Sequence, residues 1–318
     1  CIRDSSYPCL IWRYVGAPAH DVVLVPYLGQ FDVLLLWFFA RLKGKPVVWD
    51  MFISLYDTTI NDREMMSKWS PLAMILKGIE WLGCRAADCV LLDTQAHAQH
   101  ITQLFSLPDG RADAVPVGAE TDIFARQPAP VPHDGPTRIL FYGQLIPLHG
   151  IETILRAAMS GRGRGYAWRI IGKGQQSALV DRTLAQADTA HIRRDNWVAY
   201  ETLVDAIAET DICLGIFGSS QKAASVVPNK VYQCLSAGRT VITRQSPAMT
   251  ETFPADPGLR LIPHADPEAL LDAINAVRHE KFPVMDETAL RRAQPREVGR
   301  LLRDSILAPL IKDTSARQ

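Results

Sequence analysis

Lys222, Ser225, Val226, Val227, Asn229, Lys230 and Gln233 fall within twelve residues of one another, around the stretch SVVPNKVYQCLSAGRTVIT that runs from Ser225 to Thr243. Lysines beside amides and small residues suit phosphate binding, in which cations neutralise the anion and the free amides of a helix start donate to it. The same stretch contains the elements that must position them. Pro228 lies in a loop, a short helix follows, Gly238 stops it, and the β-branched run Thr240 to Thr243 is a strand. Lys222 precedes the helix and Lys230 sits in its first turn, so free amides and positive charge meet there.

With 318 residues the chain is long enough for two domains, and 47% hydrophobic with 21% charged residues is ordinary for a globular protein. Thirty-four Lys and Arg balance thirty-four Asp and Glu. A net charge of zero argues against a general nucleic-acid binder, which needs a basic surface to displace counterions. The expected partner is therefore a small molecule. Six cysteines, at 1, 9, 84, 89, 213 and 234, are scattered. Cys89, Cys213 and Cys234 fall in apolar elements, where cysteine packs as a small hydrophobe, and the pattern reads as a reducing, cytoplasmic protein. The longest apolar run, VLLLWFFA at 33–40, is well short of a membrane span. The sequence starts at Cys1 with neither Met nor a signal pattern, and the expectation is a fragment lacking a first strand and helix.

From Asp21 onward strands alternate with amphipathic helices, the signature of a parallel sheet covered on both faces. Strands are expected at 21–27, 46–52, 88–94 and 112–118, with helices at 31–43, around 71–87 and at 95–107. Residues 121–136 hold four prolines and no periodicity and read as a linker. The pattern restarts with strands at 137–143, 168–172, 196–200 (NWVAY), 211–217 and 259–263, and closes with a helix-rich tail from Glu287 to Ile311. Open α/β sheets bind ligands beyond the carboxyl ends of their strands. In the first half that edge carries WDMFISLYDTTINDR at 49–63, with Asp50, Ser54, Tyr56, Asp57, Asp62 and Arg63 concentrated in one loop. These residues read equally well as a functional loop or as helix caps and a salt bridge. The region Met65–Arg85 combines apolar residues with Lys68, Lys77 and Arg85, and reads as a helix packed on the sheet or, alternatively, as a membrane-surface helix. Cys84, Cys89, His97 and His100 invite a zinc site, but a buried strand under Cys89 opposes tetrahedral convergence, and no metal is expected.

Four motifs in order carry a family resemblance: VPVGAETDIF at 115–124, FYGQLIPLHGIETILRAA at 141–158, IIGKG at 170–174, and PNKVYQCLSAGRTVIT at 228–243. Over about 115–255 they resemble the family 4 glycosyltransferases, retaining enzymes of the GT-B fold that use nucleotide-sugar donors. The resemblance implies two doubly wound Rossmann-like α/β domains facing each other across a cleft. Residues 1–120 are the acceptor-side domain, 121–136 the linker and 137–318 the donor-binding domain, with packing of the C-terminal helices back on the first domain left open.

The same resemblance implies site residues. The glycine-bearing loops bring Gly143, Gly172 and Lys173 to the donor. The family's phosphate-binding arginine and lysine fall on Gln144 and His149, so fixed charge must come from Lys173, Lys222 or Lys230. Its pair of glutamates falls on Ser225 and Gln233; Gln233 remains suited to a ribose diol as donor and acceptor. The base would lie near Tyr200, as a stacking platform or as core packing alongside Trp197. A histidine common in the family near residue 50 is absent, which leaves Asp50 or Asp57 to position or deprotonate the acceptor hydroxyl. The expected reaction is transfer of a sugar from a UDP- or GDP-sugar to a glycan, lipid-linked or small-molecule hydroxyl with retention, without a cofactor. The location expected is cytoplasmic, or peripheral at the inner face of a membrane. A nucleotide-sugar epimerase and a non-catalytic glycosyltransferase-like partner subunit are the alternatives.

Overall fold

In a computed structural model of the chain, residues 7–130, 133–186 and 188–316 are described; Cys1 lies outside them. The chain divides into two compact units, Cys1–Val115 with Gly299–Gln318, and Pro116–Val298.

The first unit is built on four parallel strands, β1 (Val23–Val25), β2 (Val47–Asp50), β3 (Cys89–Leu92) and β4 (Ala112–Ala114), in the order β1-β2-β3-β4. Successive side chains along these strands enter two different cores. Val23, Val25, Val47, Trp49, Val90 and Leu92 pack with the helices Gln30–Leu42, Pro71–Ala86 and Gln95–Phe105. Val48, Cys89 and Leu91 point the other way and meet Ile306, within a π-helical turn Leu302–Leu307 of the C-terminal tail. Burial on both faces is why β3 reads as an unbroken apolar run. It also explains why residues beyond 299 belong to the first unit although they follow the second in sequence.

The 49–63 loop is folded around one carboxylate. Glu80, on the helix Pro71–Ala86, is fully buried and accepts from Ser54 Oγ at 2.6 Å, Leu55 N–H at 2.7 Å, Tyr56 N–H at 3.1 Å and Gln30 Nε2 at 3.3 Å. Burial pushes its pKa up while these donors oppose that shift. On the outward face of the same helix Leu72, Met74 and Ile75 are exposed, as is Trp69 before it. No helix of the described residues is long and apolar enough to cross a membrane.

The second unit has six parallel strands, β5 (Arg138–Tyr142), β6 (Ala167–Ile171), β7 (Ile192–Asp195), β8 (Ile212–Leu214), β9 (Thr240–Arg244) and β10 (Leu259–Ile262), ordered β10-β9-β8-β5-β6-β7. The chain builds outward from β5 in one direction, then restarts at β8 and builds in the other. The point of reversal is the β5/β8 pair, where the crossing loops leave a crevice at the carboxyl ends.

In the expected linker 121–136, Gln127 N–H donates to Ala237 O at 3.1 Å and Arg239 Nη1 to Pro128 O at 2.9 Å, so these residues are held on the second unit. One expectation is corrected here. NWVAY is not a strand: β7 is Ile192–Asp195, and Tyr200 opens the helix Tyr200–Ala208. The charged strand IRRD is an edge strand, where polar side chains face water.

Replacing Glu80 with Ala strands two backbone amides in a dry interior. We expect a loss of about 3 kcal/mol in urea unfolding, with Glu80→Gln intermediate because its carbonyl still accepts. A variant as stable as the parent would refute this account of the loop.

Candidate functional site

At the carboxyl edge of the second sheet the loops after β5 and β6 pass in contact. Gly143 and Gly172 have φ of +138° and +139°, a region closed to most side chains. A Cβ on Gly172 would lie 1.8 Å from the Gly143 carbonyl oxygen. A Cβ on Gly143 would lie 2.9 Å from Lys230 Nζ and 3.1 Å from His149 Cε1. Two glycines are therefore needed for the loops to cross, and a lysine and a histidine stand over the crossing. A cavity of about 800 Å³ opens beside it, with Gly143, Gln144, Lys173, Trp197 and Tyr200 on its wall.

Lys230 is carried by the helix Asn229–Ser236. It is 6% exposed, and Nζ has no hydrogen-bond partner among the described residues. Its contact is the ring of Phe141, 4.0 Å from Nζ to the centroid. Burial pushes the ammonium down to about 7. An anion at the glycine crossing would restore the charge. His149 donates from Nδ1 to the Gln144 carbonyl, which fixes its tautomer and packs its ring edge against Phe141.

The other residues expected at this site differ in accessibility. Gln144, Lys173 and Asn229 are exposed, whereas Lys222, Ser225 and Val227 are buried and Val226 is half-buried. Lys222 and Ser225 belong to a short helix, Gln221–Ser225, in a stretch the sequence presents as loop. Ser220 caps it by accepting from Ala223 N–H at 3.1 Å, and Ser225 Oγ donates to Gln221 O at 2.9 Å.

Gln233 lies in a line of hydroxyls. Tyr142 donates to Gln233 Oε1 at 2.9 Å, Gln233 Nε2 donates to the Tyr200 hydroxyl at 3.2 Å, and that hydroxyl donates to the Glu120 carboxylate. Burial and the neighbouring carboxylate push the Tyr200 hydroxyl up to about 12. Tyr142 and Glu120 are not singled out by sequence reasoning. Both sit inside quoted motifs, but one reads as strand core and the other as a loop acid.

In the first unit Asp50 ends β2, and burial raises its pKa. Asp57 is 1% exposed; it accepts from Asn61 Nδ2 at 2.8 Å and from His100 Nε2 at 3.1 Å. His97 Nδ1 donates to Asp93 at 2.5 Å. Burial pushes the Cys89 thiol up to about 12 and the Cys84 thiol higher still. Among the described residues no three His, Cys, Asp or Glu gather as a metal-binding set.

Residues 136–279 match the family described as Glycosyl transferases group 1. No curated protein sequence matches the chain. Among solved structures, sucrose-phosphate synthase from Thermosynechococcus elongatus is similar with a TM-score of 0.66 at 13% identity, over 96% of this chain and 76% of that one. The lipopolysaccharide outer core galactosyltransferase WaaB gives 0.67 at 13% identity, over 95% and 79%. Anabaena HepE in complex with UDP gives 0.62 at 10% identity, over 93% and 78%. The chain has the fold of the GT-B glycosyltransferases, and the family match falls within its second unit.

The unfolded chain holds the Lys230 proton up to about 10.5, the folded chain only up to about 7. Between these values the unfolded state binds more protons, so this group makes stability rise with pH across that window. An anion beside Nζ reverses the shift. At pH 8 we expect pyrophosphate binding to take up close to one proton, read by calorimetry in buffers of different ionisation enthalpy. Lys230→Met should abolish the uptake, weaken binding about tenfold or more, and raise Tm at pH 6 by removing a buried charge. Uptake that persists in the variant would contradict the assignment.

Proposed function

We propose that this protein is a retaining glycosyltransferase that moves a sugar from a nucleotide-sugar donor, UDP- or GDP-linked, to a hydroxyl acceptor. The observation that carries the reading is Lys230: a buried amine with no hydrogen-bond partner among the described residues, aimed at a crossing of two glycine turns on the edge of a cavity, inside the stretch that matches the glycosyltransferase family. Burying a cation without an anion is costly, and a bound diphosphate removes that cost.

In this reading the diphosphate lies against Gly143 and Gly172. Lys230 neutralises the charge that grows on the leaving oxygen as the bond from C1 of the sugar to the phosphate breaks. The acceptor oxygen bonds to C1 from the same face, and its proton passes to the departing phosphate oxygen, so the configuration is retained and no strong protein base is required. Trp197 and Tyr200 line the wall on which the base would rest, and Gln233 hydrogen-bonds to the Tyr200 hydroxyl. Donor binding is assigned to the second unit and acceptor binding to the first. Of the two acids expected there, Asp50 is the better acceptor contact, because Asp57 is buried and occupied by Asn61 and His100. The HepE structure similar to this one was solved with UDP, which supports a nucleoside diphosphate donor. A lipid-linked acceptor is supported by the exposed Trp69, Leu72, Met74 and Ile75 beside Lys68 and Lys77. Sedimentation with vesicles of anionic phospholipid distinguishes it from a soluble acceptor.

The test is a turnover assay with UDP- and GDP-sugars, with and without a hydroxyl acceptor mixture. We expect acceptor-dependent release of nucleoside diphosphate, cut at least a hundredfold in Lys230→Met, on the order of the ~3 kcal/mol that one charge-stabilising group supplies. Conversion of the donor sugar with no acceptor present would point to an epimerase instead. Neither release nor conversion with any donor would refute the reading.

A further inference from the structure

Neither of the two positions where the family resemblance expects an acid, Ser225 and Gln233, carries one. Gln233 is already engaged at both ends of its amide, by Tyr142 at 2.9 Å and Tyr200 at 3.2 Å. Ser225 is 1% exposed, with its hydroxyl turned to the Gln221 carbonyl at 2.9 Å. Neither residue offers a carboxylate.

Glu120 does, and it is held one hydroxyl away from Gln233. Its carboxylate accepts from the Tyr200 hydroxyl, which in turn accepts from Gln233 Nε2. The position of Glu120 is built by its own segment. Ala119 N–H donates to Ala293 O at 3.2 Å, and Ile123 and Phe124 donate to the Glu120 carbonyl at 3.0 and 2.8 Å, closing a turn. Phe124 is fully buried, and its ring meets that of Tyr200 edge to face at a centroid distance of 5.5 Å. One short segment therefore fixes Tyr200 by its ring and by its hydroxyl, and presents Glu120 beside it. Tyr200 also lines the cavity next to the glycine crossing.

An ionised carboxylate has about four lone-pair sites, of which Tyr200 takes one. The exposed Glu120 keeps the rest. A vicinal diol presents two hydroxyl donors side by side, which a carboxylate can receive with two oxygens and an amide with only one. A charge-assisted pair is also roughly twice as strong as a neutral one.

We propose that Glu120, tied to Tyr200, receives the ribose hydroxyls of the bound nucleotide in place of the acids absent at positions 225 and 233. This rests on the nucleotide-sugar reading above. It makes the segment 118–124 part of the ligand site of the second unit, and it makes Glu120 the residue that distinguishes a ribonucleotide from its deoxy form.

Calorimetry on the full chain tests it, with UDP, GDP and ADP as probes and then the 2′,3′-dideoxy form of whichever binds. Glu120→Gln should weaken the ribonucleotide about tenfold or more and leave the dideoxy affinity unchanged. Tyr200→Phe keeps the ring but cuts the tie, and should show the same selectivity with a smaller loss. The Glu120 assignment is overturned if either variant weakens both forms equally, or if Glu120→Gln binds the ribonucleotide like the parent. Failure of the parent chain to bind any of the three probes sinks the donor reading itself, and this inference with it.

Discussion

The second unit is organised around a lysine amine kept out of water, with no hydrogen-bond partner for it among the described residues. Lys230 is buried against the Phe141 ring, with Nζ pointed at Gly143. The quadrupole of a ring returns only part of the hydration that an ammonium loses, so an anion beside Nζ would stabilise this region. Much of the surrounding structure serves to keep that lysine where it is. Gly143 and Gly172 adopt positive φ so that nothing intrudes below it, and His149 is locked to the Gln144 carbonyl beside it. The helix start is fixed by Pro228, whose carbonyl accepts from Val231 N–H at 2.9 Å. The reversal of strand order at β5 and β8 brings the crossing to the place where an α/β sheet opens to a ligand.

Stabilisation of the first unit comes from elsewhere. Its sheet is covered on one face by three helices that precede or follow its strands, and on the other by the tail that returns after residue 299. The loop beyond β2 is ordered by the buried carboxylate of Glu80, and Asp57 bonds to Asn61 and His100. The polar residues of that loop are mostly internal, spent on holding its shape, with Asp50 half-buried at the strand end.

Much of the fold was legible in the residues, because a parallel sheet buried on both faces leaves short apolar runs that few other structures produce. The glycine at 172 was also legible as a turn, and Lys230 as a cation in a first helical turn, whereas Gly143 read as the end of a strand. What escaped did so for physical reasons. NWVAY has the aromatic and β-branched content of a strand, yet the edge strand is the charged IRRD before it, since an edge need not be apolar. The four prolines of 121–136 read as a linker, and no pattern in the chain shows that Pro128 is held by Arg239. The helix Gln221–Ser225 is too short for periodicity to reveal. Glu120, Tyr142 and Tyr200 form a line only in three dimensions, from three separate elements, and no spacing in the chain announces it.

Hydrogen–deuterium exchange of the full chain, with and without a saturating nucleoside diphosphate, tests the central claim most directly. If the crossing under Lys230 is the diphosphate site, protection should concentrate in 142–146, 172–177, 197–203 and 229–233. Protection confined to the first unit, or none at the glycine turns despite measured binding, would contradict the account.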